Sequence, residues 1–344
     1  MRAALLSAPH VIEIVDRPDP TPGPGEATLR VGAASICGSD LAAYRGYHEW
    51  VKPPTILGHE CAGTVVAVGT GVRADLVDTI ACVEPNICCG TCKYCTAGLP
   101  NICPYYRVLG ESLDLAGAHA EYVNVPAGQL YTLPASVPAG TGTLVQPLAI
   151  SYEGTIHRGN VQAGDRVLIV GAGPIGLGAL MLSRLRGAEV AIVDVVDYRV
   201  ELADRLGAEI ALRADDPDLD AAVLEWTGGL GADIAIEAVG GRQNESLLTA
   251  VRLTAARGRI VVVGSFADPT TAFPVAALKK HEQVLLGSHG HPASFQPVIE
   301  LISDGRLRPQ DMVSHAIPLD DIAEAFRMMD EKVEGVVKVV VHPN

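Results

Sequence analysis

The run Val167-Leu-Ile-Val170 passes without a spacer into Gly171-Ala-Gly173-Pro-Ile-Gly176, and helix-forming residues follow as far as Leu185. A strand that turns on glycines straight into a helix commits the chain around it to strand–helix–strand units and a parallel sheet. In that reading Gly171 permits the tight turn, Gly173 lets a pyrophosphate approach the backbone, and Gly176 allows close packing of helix on strand. The phosphates then lie on free N–H groups at the positive end of the helix. The next strand, Glu189-Val-Ala-Ile-Val-Asp194, ends in an acid 18 residues past Gly176. A carboxylate there accepts hydrogen bonds from a ribose 2′-hydroxyl and repels a 2′-phosphate, so NAD is expected over NADP. The expected cofactor contacts are Gly171, Gly173, Pro174, Ile175, Gly176, Asp194 and Arg199.

The same alternation continues around that turn. Apolar runs fall at Val167–Val170, Val190–Val193, Ile210–Leu212, Ile234–Ile236, Ile260–Val263 and Val284–Leu286. Helix-length segments lie between most of them: Ile175–Leu185, Tyr198–Leu206, Leu219–Trp226 and Asn244–Leu253. Six strands with such crossovers predict an α/β, doubly wound dinucleotide domain over residues 146–289. Residues 1–145 have another texture, short strands broken by Pro and Gly, such as Ala27–Val31, Gly63–Val68 and Ala120–Val125. Their alternation and β-branched content predict half-buried antiparallel strands. Beyond 290, Phe295–Ile302 and Ile322–Met329 read as helices and Val336–Val341 as a strand. This segment, 290–344, is expected to rejoin the first domain.

Composition bounds the partners. The chain has 344 residues, 48% hydrophobic and 19% charged, enough for two domains with their own cores. Its formal net charge of -14 disfavours nucleic acid and anionic membrane surfaces, which need clustered Lys and Arg. The longest apolar stretch, Val167 to Leu182, is short for a membrane span and rich in glycine. The N-terminus has one cation and too few apolar residues before Pro9 for a secretory signal, so a cytoplasmic address is expected.

Four of the eight cysteines crowd together as Cys89-x2-Cys92-x2-Cys95-x7-Cys103. Four thiolates at this spacing fit a closed, tetrahedral, structural zinc site better than two disulfides. Gly90, Gly98, Pro100 and Pro104 supply the loop such a knuckle needs. Cys88 is read as a spare thiol beside the ligand Cys89. A second set is dispersed: Cys37 in Ile36-Cys-Gly-Ser-Asp-Leu41, and His59 and Glu60 in Gly58-His-Glu-Cys-Ala-Gly63-Thr-Val-Val-Ala-Val-Gly69. Thiolate, imidazole and carboxylate are all ligands that zinc accepts, and a catalytic ion keeps one position open.

These segments, in this order and over essentially the whole chain, resemble the zinc-containing medium-chain alcohol dehydrogenases. Val83-Glu-Pro-Asn86 and Gln146-Pro-Leu-Ala149 resemble the sorbitol and L-threonine dehydrogenase branch, and Cys37 to Gly46 also resembles aminocyclitol dehydrogenases. The resemblance implies a GroES-like β-rich catalytic domain, a Rossmann domain, and a catalytic zinc in the cleft between them. It implies Cys37 and His59 as zinc ligands, Glu60 as a direct or near-direct one, Ser39 as the hydroxyl that relays the substrate proton, and a homodimer or homotetramer.

Two positions depart from that branch, which usually has Glu where Gln146 stands and His where Ala42 stands. Zinc with the Cys37 thiolate and Glu60 carboxylate is formally neutral; Gln146 adds no charge and leaves the ion a stronger Lewis acid. Gln146 is therefore expected to orient the zinc water or the substrate without titrating.

The expected reaction is zinc- and NAD-dependent interconversion of a secondary alcohol (polyol, amino alcohol, sugar or aminocyclitol) and its ketone. Tyr44, His48, Glu49 and Trp50 are pocket or packing residues; His119, His289 and His291 read as surface or core histidines. Cys37, His59 and the cysteine loop argue against a zinc-free reductase. The charge disfavours a zinc-ribbon nucleic-acid binder.

Overall fold

Small and β-branched residues alternating with polar ones give the N-terminal part of the chain ten strands among the described residues. They are β1 (Arg2–Ala8), β2 (Val11–Asp16), β3 (Glu26–Ser35), β4 (Thr55–Ile56), β5 (Glu60–Val68), β6 (Ile80–Val83), β7 (Asn86–Ile87), β8 (Arg107–Val108), β9 (Tyr122–Pro126) and β10 (Leu130–Thr132). The structure is a computed structural model and describes every residue except Leu113, Pro269 and Asn344. In β3, Ala27, Leu29, Val31 and Ala33 are buried while Arg30 and Gly32 face outward, and β5 runs antiparallel beside it. Ala27, Leu29, Val31 and Ala34 join Cys61, Val65, Ala81, Val83, Val123 and Val125 in one apolar core.

The β3–β5 register shifts twice, between Thr28 and Leu29 and between Val31 and Ala33. At the second bulge the backbones nearly touch, and a Cβ on Gly63 would fall 2.0 Å from the Arg30 carbonyl oxygen. The shifted register pairs Ser35 with Glu60. Cys37, two residues past the end of β3, is thereby set beside His59, one residue before β5.

The middle of the chain forms six parallel strands, β11 (Arg166–Val170), β12 (Glu189–Asp194), β13 (Ile210–Arg213), β14 (Ala232–Glu237), β15 (Thr254–Val262) and β16 (Val284–Gly287). Their order is β13-β12-β11-β14-β15-β16. The chain leaves β11 toward one edge and returns to β14 toward the other, so a topological switch point lies between those two strands. Helices Pro174–Leu185, Asp197–Arg205, Leu219–Trp226 and Glu245–Leu253 supply crossovers. Val167 to Val170 are all buried, as a strand covered on both faces requires.

Two last strands follow, β17 (Val313–Pro318) and β18 (Lys338–His342), with helices Phe295–Ser303 and Ile322–Glu331 before and between them. β18 pairs antiparallel with the end of β3, Val340 opposite Ser35 and Val341 opposite Ala34, in the sheet β10-β6-β5-β3-β18-β17. By its internal contacts the chain forms two units, Met1–Gln146 with Phe295–Asn344, and Pro147–Ser294. Among the described residues no helix is long and apolar enough to cross a membrane.

Candidate active site and metal centres

Cys37, His59 and Glu60 each direct one ligand atom into a common space, with those atoms within 4.8 Å of one another. The hub that positions Cys37 and His59 is Asp40, which is wholly buried. Its Oδ2 accepts from the Cys37 amide at 2.9 Å and its Oδ1 from the Gly58 amide at 3.3 Å, tying the two ligand segments together. His59 Nδ1 lies 3.6 Å from Asp40 Oδ1 and His119 Nε2 3.7 Å from Asp40 Oδ2. Burial would push the Asp40 carboxyl up, but His59 and His119 outweigh it and hold the group well below the usual carboxylate range. Burial likewise opposes a proton on His59, yet Asp40 and Cys37 outweigh it and raise the imidazole well above the usual histidine range.

Glu60 is held from the far end of the chain. Lys338 Nζ donates to the Ile36 carbonyl at 3.0 Å and pairs with Glu60 Oε2, which also accepts from Ser35 Oγ. Lys338 is 1% exposed and Glu60 fully buried. Glu60 Oε1 and His59 Nδ1 are buried without a hydrogen-bond partner among the described residues. A buried space that stabilises positive charge and faces an unsatisfied carboxylate oxygen fits a cation bound by these three side chains.

Ser39 lies half-buried in the first turn of helix Gly38–Tyr44, two residues from Cys37. Gln146 is buried in helix Val145–Tyr152, and its side-chain amide makes no hydrogen bond among the described residues. Of the anticipated pocket residues, Tyr44 is core, packed on Phe326 at 5.2 Å and His10 at 4.8 Å between ring centroids. Glu49 is exposed, whereas His48 stands near the ligand cluster through Glu111.

The cysteine loop closes on itself. Sulfur–sulfur distances are 3.9 Å for Cys89–Cys95, 3.5 Å for Cys92–Cys95, 3.8 Å for Cys92–Cys103 and 3.5 Å for Cys89–Cys103. These are far from a disulfide bond of about 2.05 Å. They bracket the edge of about 3.8 Å that zinc–sulfur bonds of about 2.3 Å give a tetrahedron. Amides turn toward the sulfurs, Cys92 N to Cys89 at 3.4 Å, Cys95 N to Cys92 at 3.5 Å and Tyr105 N to Cys103 at 3.4 Å. Backbone amides of Thr91 and Cys92 bring the Cys89 thiol down to about 6, so it is a thiolate at neutral pH. Cys88 is a free, partly buried thiol outside this set.

At the end of β11, Gly171 adopts φ +105° and its amide bonds to the Val193 carbonyl at 2.7 Å. A Cβ at Gly176 would lie 1.7 Å from the Gly171 oxygen, so helix Pro174–Leu185 could not start there with any other residue. Asp194 accepts from the amides of Ala172 at 2.7 Å and Val196 at 3.0 Å, which fixes its carboxylate beside the turn. Arg199 Nη1 stands 3.9 Å from Asp194 Oδ2, and its buried Nε has no partner among the described residues. The space over Gly173 is open except for that guanidinium, 4.0 Å from where a Cβ would be. An anionic dinucleotide backbone fits this arrangement.

Two family models match the chain, the alcohol dehydrogenase GroES-like domain over residues 23–135 and the zinc-binding dehydrogenase domain over residues 174–304. The chain is 36% identical to a 2-dehydro-3-deoxy-L-galactonate 5-dehydrogenase of Pseudoalteromonas atlantica, covering 93% of this chain and 92% of the relative. It is 30% identical to a sorbitol dehydrogenase of Halalkalibacterium halodurans, covering 96% and 95%. An alcohol dehydrogenase of Escherichia coli solved in complex with NADH superposes with TM-score 0.91 at 30% identity, over 99% of each chain. The chain belongs to the zinc-type medium-chain alcohol dehydrogenase family. It is an NAD-linked, zinc-dependent oxidoreductase with a GroES-like domain and a Rossmann domain.

Asp40, Glu111, His119 and Lys338 belong to the site but do not stand out in the sequence as such. Asp40 left one signal, the Cys37-x2-Asp40 spacing of a helix-capping box. Lys338 left none, since it lies 278 residues from its partner.

Proposed function

We propose that the chain oxidises a secondary alcohol bearing further polar groups, and reduces the corresponding ketone, with Cys37, His59 and Glu60 holding a catalytic zinc. The observation that carries this reading is the convergence of those three side chains, from two segments, on Asp40 and Lys338. When bound, zinc would supply Lewis acidity that lets an alcohol lose its proton near neutral pH, and NAD would supply the hydride acceptor.

The protein's own groups do the rest. Asp40 orients the His59 ring and fixes the Cys37 backbone. Ser39 takes the substrate proton and passes it outward. Gln146 orients the substrate oxygen through an amide that does not titrate. Gly171, Gly173, Pro174, Ile175 and Gly176 present backbone to the pyrophosphate, Asp194 binds the adenosine ribose, and Arg199 faces phosphate. Cys89, Cys92, Cys95 and Cys103 hold a second, structural zinc. In this scheme 1–145 with 290–344 is the catalytic domain and 146–289 the cofactor domain.

Eight unpaired thiols suit a reducing cytoplasm. Exposed Val284 and Leu285 on edge strand β16 support assembly as a homodimer or homotetramer. The decisive test measures NAD⁺ reduction across polyols, amino alcohols and sugars, together with zinc content. Two zinc ions per chain are expected in the native protein and one in Cys37→Ala, with NAD⁺ reduction lost. Undiminished turnover in Cys37→Ala or His59→Ala would overturn the assignment.

A further inference from the structure

We propose that Glu111 selects the charge of the substrate, favouring alcohols that carry an ammonium group within a few bonds of the carbinol carbon. The inference rests on the Cys37–His59–Glu60 cluster being the alcohol site. Glu111 Oε1 lies 3.7 Å from His59 Nδ1, which places a carboxylate at the edge of that cluster.

The backbone fixes it there. Gly110 turns at φ +72°, and a Cβ on it would come within 2.9 Å of the Gly58 oxygen. The amides of Gly117, Ala118 and His119 bond to the carbonyls of Ile56, Gly58 and Leu57, so the Glu111 turn is laced to the residues just ahead of His59.

The carboxylates of this site differ in how they are satisfied. Asp40 accepts from two backbone amides and faces two imidazoles. Glu60 has Lys338 and Ser35. Glu111, only 8% exposed, has as ion-pair neighbours His48 Nε2 and His59 Nδ1, both at 3.7 Å and beyond hydrogen-bond reach. His59 Nδ1 faces Asp40 Oδ1 at 3.6 Å as well, so Glu111 does not have that imidazole to itself. His48 accepts from the amides of Trp50 and Val51 through Nδ1, at 3.2 and 3.3 Å, which leaves Nε2 as the nitrogen that turns its N–H toward Glu111.

A carboxylate this buried, without a full-strength partner, gains most from a cation that arrives with the substrate. A hydroxyl gains less there, and a carboxylate or phosphate is repelled. Trp50 stands edge-on to His48 at 6.1 Å and to Tyr106 at 5.8 Å, adding aromatic surface next to that position.

The test uses zinc-loaded protein and two matched series. One is 1-amino-2-propanol, 1,2-propanediol and 3-hydroxybutyrate; the other is 4-amino-2-butanol, 1,3-butanediol and 4-hydroxyvalerate. Oxidation is followed with NAD⁺, and binding by calorimetry on the NADH-loaded protein. In at least one series the amine is expected to exceed the diol by about tenfold or more in kcat/KM and in affinity. Glu111→Gln should erase that preference, bringing the amine down to the level of the diol measured in the same variant.

Equal binding of amine and diol, an unchanged preference in Glu111→Gln, or a uniform loss for all compounds would each overturn the proposal. Binding that follows the expected order without any NAD⁺ reduction would sustain Glu111 and sink the dehydrogenase reading. Oxidation that ignores substrate charge would do the reverse.

Discussion

Lys338 and Glu60 form an ion pair that water barely reaches, and Ser35 and the Ile36 carbonyl complete its hydrogen bonds. Removing only the ammonium strands a buried carboxylate. Lys338→Met should therefore cost about 3–5 kcal/mol in denaturant unfolding, and adding Glu60→Gln should restore more than half of it. A single-mutant cost under about 1 kcal/mol would place the pair at a solvated surface instead.

Cys89 has a different sensitivity. Its folded-state value of about 6 lies below that of a free thiol, so the thiolate's contribution is full above the free-thiol range. That contribution is lost as pH falls through about 6. Protons compete with zinc for the thiolates, so the cysteine loop should lose its ion increasingly as the pH is lowered and retain it at pH 8. Zinc analysis with alkylation mapping of Cys89, Cys92, Cys95 and Cys103 checks this.

Among the elements, the glycine turn after β11 tolerates least. With the Gly171 oxygen 1.7 Å from any added Cβ, Gly176→Ala must push the helix off the strand. NADH affinity should fall about tenfold or more by fluorescence titration, with zinc content unchanged. This turn was legible in the sequence because everything it needs is local, and the six parallel strands were legible because buried strands are continuously apolar. The structure places strands on all six apolar runs, and helix Leu219–Trp226 has the bounds its pattern predicts.

What stayed hidden depends on pairing rather than pattern. β17, Val-Ser-His-Ala-Ile-Pro, alternates weakly and is defined by lying beside β18. The double register shift between β3 and β5 decides that Cys37 meets His59, and no spacing in the sequence encodes it. The cysteine loop was readable because its four ligands fall within one short segment. The Cys37 set, drawn from separate segments, emerged only through family resemblance, and Glu111 and Lys338 had no such cue.

As a whole molecule the chain is built unequally. The unit Pro147–Ser294 is one continuous stretch with its own core, whereas the other is assembled from both ends of the sequence. Expressed alone, residues 147–294 should fold cooperatively and retain NADH binding; an unfolded circular dichroism spectrum would contradict this. A chain ending before β18 should keep the cofactor turn and lose the catalytic ion.

That last strand has a consequence for biosynthesis. Because β18 bears the cation that pairs with Glu60, translation has to pass residue 338 before that carboxylate gains its partner. Chains released before that point would hold the nucleotide turn complete while Glu60 still lacks its ammonium.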